Sequence, residues 1–222
     1  MNNTSRRNFI KTSGAIGSFF ILPSGLRAKS PNGKICTAHI GTGGKGRIDT
    51  VYLAKHDNVE VVGLCDVDYS HGKIDTWSKQ FTSATAYQDY REMLAELGDK
   101  IDAVSISTPD HTHYPATMDA MERGKHVYLQ KPLTHKLEEA RHLAKFAKEK
   151  GLTTQMGIQN QSREAYRLAR HYVQEGILGK ISKVYVWSFK TWGYDGEPFK
   201  EKSAIPDTLD WNLWLGTAPV HD

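Results

Sequence analysis

The sequence predicts an α/β protein: a doubly wound parallel sheet, followed by the start of an α+β domain with an open antiparallel sheet. Three observations carry this. From Lys34 onward, short continuous apolar runs alternate with amphipathic stretches, as expected when helices cover both faces of a parallel sheet. A glycine-rich turn, Gly41-Thr42-Gly43-Gly44-Lys45-Gly46, joins the first run to the first amphipathic stretch. After Gly179 the pattern changes: 181–192 alternates, with Tyr185, Trp187 and Phe189 on one face, the mark of an antiparallel strand that is exposed or interface-forming on one side.

In chain order, the apolar runs predict strands at 35–40, 59–65, 103–107, 126–129 and 153–157. Between them, helices are expected at 44–56, 87–97, 115–123, 137–150 and 163–175. Beyond Trp192 the chain reads as loop, punctuated by Gly193, Gly196, Pro198, Pro206 and Pro219. At 222 residues the chain holds one complete domain, 34–160, and the start of a second substrate or oligomerisation domain, 161–222. Domains usually run to roughly 100–200 residues, so the chain is expected to be part of a longer polypeptide.

Composition excludes several classes. With 39% hydrophobic and 24% charged residues the chain is neither collagen-like nor low-complexity. No run reaches the roughly 18 apolar residues of a spanning helix, so no stable membrane span is expected. The net charge of +4 arises from residues 1–30, which hold Arg6, Arg7, Lys11, Arg27 and Lys29 and no acid. The remainder is close to neutral and shows no basic stripe, which argues against a nucleic-acid partner.

Residues 1–30 read as a targeting segment. Ser5-Arg6-Arg7-Asn8-Phe9-Ile10-Lys11 precedes a mildly apolar stretch from Gly14 to Leu22, which resembles a twin-arginine signal and implies export to the periplasm. That route carries folded proteins, often around a held cofactor. Cys36 and Cys65 fall near the start of one strand and the end of the next, an offset too long for a disulfide between parallel neighbours. Both are read as buried free thiols.

The glycine turn is the strongest motif. A GxGxxG between strand and helix lets backbone approach a pyrophosphate and points helix N–H groups at its charge. An acid, Asp66, ends the second strand twenty residues past Gly46. It is placed to accept from adenosine ribose hydroxyls and to repel a 2′-phosphate, which favours NAD over NADP. Gly41, Thr42, Gly43, Gly44, Gly46 and Asp66 are therefore the first cofactor-binding candidates, in a Rossmann-type domain.

Ser107-Thr108-Pro109-Asp110-His111-Thr112-His113 follows a strand directly, where ligands of open α/β sheets collect. His111 and His113 form an HxH without evident carboxylate or thiolate companions, so no metal is assigned. Gln130-Lys131-Pro132 closes the strand after His126.

With these residues in hand, the chain resembles the Gfo/Idh/MocA family of nicotinamide-dependent oxidoreductases, the glucose–fructose oxidoreductase and inositol dehydrogenase relatives. The resemblance spans about Lys34 to Asp222. It rests on the glycine turn, Leu64-Cys65-Asp66-Val67-Asp68, the Thr108-Pro109-Asp110 loop with His113, Gln130-Lys131-Pro132, and 176–181. It implies oxidation or reduction of a sugar or cyclitol hydroxyl with bound NAD. Lys131 becomes the catalytic candidate, contacting the nicotinamide ribose and a substrate hydroxyl. Thr108, Pro109, His113, Gln130, Gln159 and Asn160 join the cofactor contacts. The family's Asp and His catalytic pair lies on a second-domain helix beyond Asp222, and its second-domain sheets pair into homo-oligomers.

Two other functions share the same first domain: an NAD-dependent glycosidase or lyase working by transient sugar oxidation, and a non-catalytic nucleotide-binding protein. Four of the five tryptophans fall within the last 36 residues, where stacking on sugar rings competes with core and interface packing. Gln130 stands where the family has glutamate, so Lys131 is expected to have a lower pKa than lysines with that adjacent anion. A Gln130→Glu variant is then expected to shift the pH–rate profile, and an unmoved profile contradicts the assignment.

Overall fold

The computed structural model describes residues 33–189 and 202–220. Its sheet has six parallel strands, β1 (Ile35–Ile40), β2 (Val59–Cys65), β3 (Thr85–Tyr87), β4 (Ala103–Ile106), β5 (His126–Gln130) and β6 (Thr154–Gly157). The order is β3-β2-β1-β4-β5-β6. Connecting helices are α1 (Gly44–Leu53), α2 (Ile74–Gln80), α3 (Tyr90–Glu96), α4 (Asp110–Glu122) and α5 (Leu137–Lys150), followed by α6 (Glu164–Gln174) and α7 (Trp211–Leu215).

The central strands β1 and β4 are buried along almost their whole length, which explains their unalternating apolar sequence. One core cluster joins Ala38, Val104 and Ile106 of the sheet to Met93 and Leu94 of α3 and Met121 of α4. A smaller cluster joins Val61 and Leu64 to Ile74 and Trp77 of α2. At roughly 1.5–3 kcal/mol per fully buried large apolar side chain, these contacts supply the main driving force for the domain. Helix α5 ends as its sequence dictates, on Gly151 at φ +64°, with the Leu152 N–H returning to the Ala147 carbonyl.

Four features depart from the sequence expectation. Helix α2 and strand β3 are additional elements, seven and three residues long, too short for periodicity to register. Helix α4 begins at Asp110 and not at Pro115, which lies inside it. Proline has no N–H to give the His111 carbonyl four residues earlier, and Thr217 Oγ1 donates to that carbonyl at 3.3 Å instead. The expected strand 181–192 is corrected: residues 181–189 have no regular secondary structure, and 190–192 lie outside the described residues. An alternating segment becomes a strand only against a ladder partner, and the described residues offer none. Finally, the tail expected to be loop contains α7, capped by Asp210, whose Oδ1 accepts from Leu213 N at 2.9 Å.

The twin-arginine segment, 1–30, also lies outside the described residues. Cys36 and Cys65 are both buried and form no disulfide, since the register pairs Cys36 with Glu60 and Cys65 with Ile40. Among the described residues no helix is long and apolar enough to cross a membrane.

The layer between β1 and α1 is polar. His39 is buried, its ring nitrogens 3.1 Å from Thr37 Oγ1 and 3.2 Å from Thr50 Oγ1. Burial pulls its pKa from 6.5 down to about 4, against the opposing effect of Asp49. Between these values the unfolded chain binds a proton that the folded chain refuses. Stability is therefore full above about 6.5 and is lost as pH falls toward 4, by roughly 3 kcal/mol from this group. A His39→Gln variant is expected to flatten the pH dependence of the urea midpoint across that window; an unchanged slope contradicts it.

Candidate functional site

The chain leaves β1 toward β2 on one side and leaves β4 toward β5 on the other. This opens a crevice at their carboxyl ends, the place where open α/β sheets bind ligands. Gly41 and Ser107 meet there. The Ser107 N–H donates to the Ile40 carbonyl at 2.8 Å, and the Gly41 N–H to the Cys65 carbonyl at 2.8 Å. Gly41 has φ +78°, and a Cβ on it would lie 2.7 Å from the Ser107 carbonyl oxygen. A Cβ on Gly46 would overlap the Gly41 carbonyl oxygen. Both glycines are thus required by backbone contact, at the start of α1. Gly43 is the N-cap of α1 and supplies no side-chain cap, so the first-turn N–H groups, including those of Gly44, face the crevice with the positive end of the helix dipole.

Asp66 closes this turn from β2. Its Oδ2 accepts from the N–H groups of Thr42 at 2.8 Å and Gly43 at 3.1 Å, and its Oδ1 from Asp68 N at 3.1 Å. Three of the roughly four acceptor positions of a carboxylate are then filled, leaving one for a ligand hydroxyl. The loop after β2 wraps this group: a Cβ on Gly72 would lie 2.5 Å from Asp66 Cβ, and Thr42 Oγ1 donates to the Gly72 carbonyl at 2.8 Å. Thr42 is therefore turned inward and contributes through its backbone. The next acid, Asp68, is opposed by burial, but N–H donors from His71 and Ser70 and the Thr208 hydroxyl hold it below the usual carboxylate range.

Residues 206–217 run as a strap over the crevice. Asp68 and Leu209 form an antiparallel bridge, with Tyr69 N donating to the Thr208 carbonyl at 3.1 Å and Asp210 N to the Val67 carbonyl at 2.9 Å. At its far end, His111 Nε2 meets the Trp214 carbonyl at 2.9 Å. The ring of His111 also packs edge-on against Trp214, which stacks on Trp211 at 4.9 Å. The strap and the glycine turn enclose a cleft of about 730 Å³ lined by Gly41, Asp66, Thr108, Pro109, Asn212 and Trp214 among others. Two tryptophans of the aromatic-rich tail are thus spent on the strap, while Trp187 is exposed.

The second half of the candidate set lies toward β5 and β6. Gln130 is buried at the end of β5, and Lys131 follows it at the surface, joined to Pro132 by a cis peptide bond. Gln159 and Asn160 are exposed on a single 3-10 turn after β6. His113 is fully buried and does not line the cleft. Its ring spans from the Thr108 carbonyl, 3.0 Å from Nε2, to the Pro132 carbonyl, 2.7 Å from Nδ1, so it braces the Thr108 loop against Lys131-Pro132. Among the described residues no group of three or more His, Cys, Asp or Glu side chains gathers to hold a metal ion.

Sequence reasoning missed Asp49 and the strap, and named Ser107 only as the first residue of the loop after β4. Asp49 sits three residues past Gly46 on the inner face of α1; an acid where a helix must meet the sheet was the available signal. Its carboxylate accepts from Lys45, Ser107, Gln130 and Gln159.

A glycine turn into a helix at the switch point of this strand order, closed by an acid from the second strand, defines a dinucleotide-binding Rossmann domain. The chain belongs to the GFO_IDH_MocA family, an oxidoreductase family with an NAD-binding Rossmann fold, whose model matches residues 35–158. It is 33% identical over 140 residues to the scyllo-inositol 2-dehydrogenase (NAD(+)) of Bacillus subtilis, covering 62% of this chain and 40% of that protein. A glycosyl hydrolase family 109 protein of Akkermansia muciniphila is 36% identical over 119 residues, 50% of this chain and 25% of the relative. The crystal structure of scyllo-inositol dehydrogenase from Lactobacillus casei with bound NAD(H) and scyllo-inositol superposes with TM-score 0.60 at 25% identity, over 66% of this chain and 42% of that one. The chain thus spans less than half the length of each of these proteins.

The residues fit a dinucleotide on independent grounds. Thr108 Oγ1 is buried at the cleft wall without a hydrogen-bond partner, and the uncapped first turn of α1 offers N–H donors to an anion. Gly46→Ala is expected to destabilise the domain by about 2 kcal/mol or more, because backbone must move to admit the methyl group. Gly98→Ala, with open space around it, is the control expected to change the unfolding free energy by less than about 0.5 kcal/mol. Equal effects in denaturant titrations contradict this reading of the turn.

Proposed function

We propose that this chain is the nucleotide-binding part of an exported, NAD-dependent oxidoreductase that acts on a sugar or cyclitol hydroxyl. The observation that carries the reading is Asp66: a buried carboxylate that organises the glycine turn through Thr42 and Gly43 and keeps one acceptor position for a ribose hydroxyl. The dehydrogenase relatives, one of them NAD-dependent and another seen with NAD(H) and scyllo-inositol, support the cofactor and substrate class. Bound NAD supplies the hydride-carrying carbon. The protein's own residues then do the rest. First-turn N–H groups of α1 hold the pyrophosphate, Asp66 orients the adenosine ribose, and Lys131 polarises the reacting hydroxyl or shares its proton. The Arg6-Arg7 segment supports export to the periplasm, where a tightly held cofactor suits a strap such as 206–217. The exposed Tyr185, Trp187 and Phe189 support a homo-oligomeric assembly of the whole protein through this region.

A second reading, an NAD-dependent glycosidase or lyase, is favoured by the family 109 relative. Product analysis separates the two. A dehydrogenase changes the NADH concentration in step with turnover, whereas a glycosidase releases the aglycone with no net change.

Calorimetric titration is expected to show NAD binding at least about tenfold tighter than NADP, since a 2′-phosphate would meet the Asp66 carboxylate. Asp66→Ala is expected to weaken NAD binding and narrow that difference; an unchanged preference contradicts the assignment. Removal of the carboxylate also leaves the Thr42 and Gly43 N–H groups without their acceptor, with an expected stability loss of about 1–3 kcal/mol.

A further inference from the structure

The carboxylate of Asp49 is 4% exposed and is the most heavily engaged side chain in the domain's carboxyl edge. Oδ1 accepts from Lys45 Nζ at 2.5 Å and Gln159 Nε2 at 3.1 Å, and Oδ2 from Ser107 Oγ at 2.9 Å and Gln130 Nε2 at 2.8 Å. Four donors fill its roughly four acceptor positions. They come from α1, the end of β4, the end of β5 and the turn after β6. One buried anion therefore ties together every element that builds the Lys131 side of the crevice. A buried carboxylate so placed strongly favours keeping its donors, because losing one strands a charge in a low-dielectric site.

The bond to Gln130 is directional. Gln130 Oε1 accepts from the Lys131 backbone N–H at 3.2 Å while its Nε2 donates to Asp49. Turning the amide over would set its NH₂ against the Lys131 N–H and its oxygen against a carboxylate. The neighbouring Gly157 admits this side chain: a Cβ there would lie 2.5 Å from Gln130 Nε2. Asp49 thereby fixes Gln130, and Gln130 fixes the backbone from which Lys131 projects.

We propose that Asp49 is the positioning residue of the nicotinamide half of the site, acting through Gln130, and that the two form a reciprocal pair in which one member must be a carboxylate and the other an amide. This rests on the NAD reading above. The pair predicts its own inversion. In the double variant Asp49→Asn/Gln130→Glu, the amide oxygen introduced on α1 keeps the Lys45 and Gln159 donors. The amide nitrogen takes the place of Oδ2 and donates to the carboxylate introduced at position 130, while the Ser107 hydroxyl turns from donor to acceptor. Either single change fails. Asp49→Asn sets an NH₂ against the Gln130 NH₂ or, turned over, against the Lys45 ammonium, and Gln130→Glu sets a second carboxylate against that of Asp49.

The test measures NAD and ADP binding by calorimetry, with a thermal melt, on the whole chain and the three variants. ADP carries the adenosine and pyrophosphate but neither nicotinamide nor its ribose. Each single variant is expected to bind NAD at least about tenfold more weakly, with ADP affinity within about twofold of the unmodified chain, and the double variant to recover NAD affinity to within about threefold. Absence of NAD binding by the unmodified chain overturns the oxidoreductase reading itself. With NAD bound by that chain, three results overturn the role of Asp49 alone: NAD affinity unchanged in Asp49→Asn, NAD and ADP weakened in parallel, or a double variant no better than the singles. If Asp49→Asn does not fold, the folded double variant with recovered NAD affinity supports the pair, and a double variant that also fails to fold overturns it.

Discussion

The closeness of the backbone after β1 to the backbone after β4 governs this structure. Parallel pairing brings Ile40 and Ile106 side by side, and the chain must then turn away on both sides of the same seam. Only a residue without a side chain can stand at Gly41, against the Ser107 carbonyl, and only another can stand at Gly46, against Gly41 itself. The consequence is a helix whose first turn begins directly over the seam, with its N–H groups uncapped. A set of N–H donors suited to an anion follows from the same geometry that closes the core, so the fold and the candidate site are a single solution to one packing problem.

That solution places polarity where most α/β domains are dry. The inner face of α1 presents Asp49 and Thr50 to a strand carrying His39. Every one of these groups is hydrogen-bonded, which is the condition for burying them without a large loss of stability. The domain is apolar where α2 and α3 cover the sheet, mixed beneath α4, whose buried residues include His113 and Thr117, and polar beneath α1. The polar layer reaches from His39 up to Gln130 and the Lys131 backbone, linking the interior to the surface where chemistry is expected. The strap 206–217 completes the other end, held to the loop after β2 by backbone hydrogen bonds and to the start of α4 by the His111 ring on the Trp214 carbonyl and the Thr217 hydroxyl on the His111 carbonyl.

Much of the domain was legible in the sequence. The five principal strands and their helices appear where apolar runs and amphipathic stretches alternate, and the glycine turn with Asp66 located the crevice. What was not legible shares a physical character. Helix α2 and β3 are too short to show a period. The start of α4 was hidden because Pro115 reads as a beginning, while the carbonyl it leaves unpaired is satisfied from Thr217, a hundred residues away in sequence. The alternation at 181–189 is real, but a strand is a property of a pair. The family resemblance put His113 among the cofactor contacts, whereas its two carbonyl partners make it a buried brace. Asp49 left its trace only as an acid on the wrong face of a helix.

The most direct test is a crystal structure of the chain grown with NAD. The pyrophosphate is predicted to rest against the first-turn N–H groups at Gly44 to Gly46, with the adenosine ribose hydrogen-bonded to Asp66 and the nicotinamide on the Lys131 side. A dinucleotide bound away from the glycine turn, or bound there with Asp66 making no contact to the ribose, would contradict it.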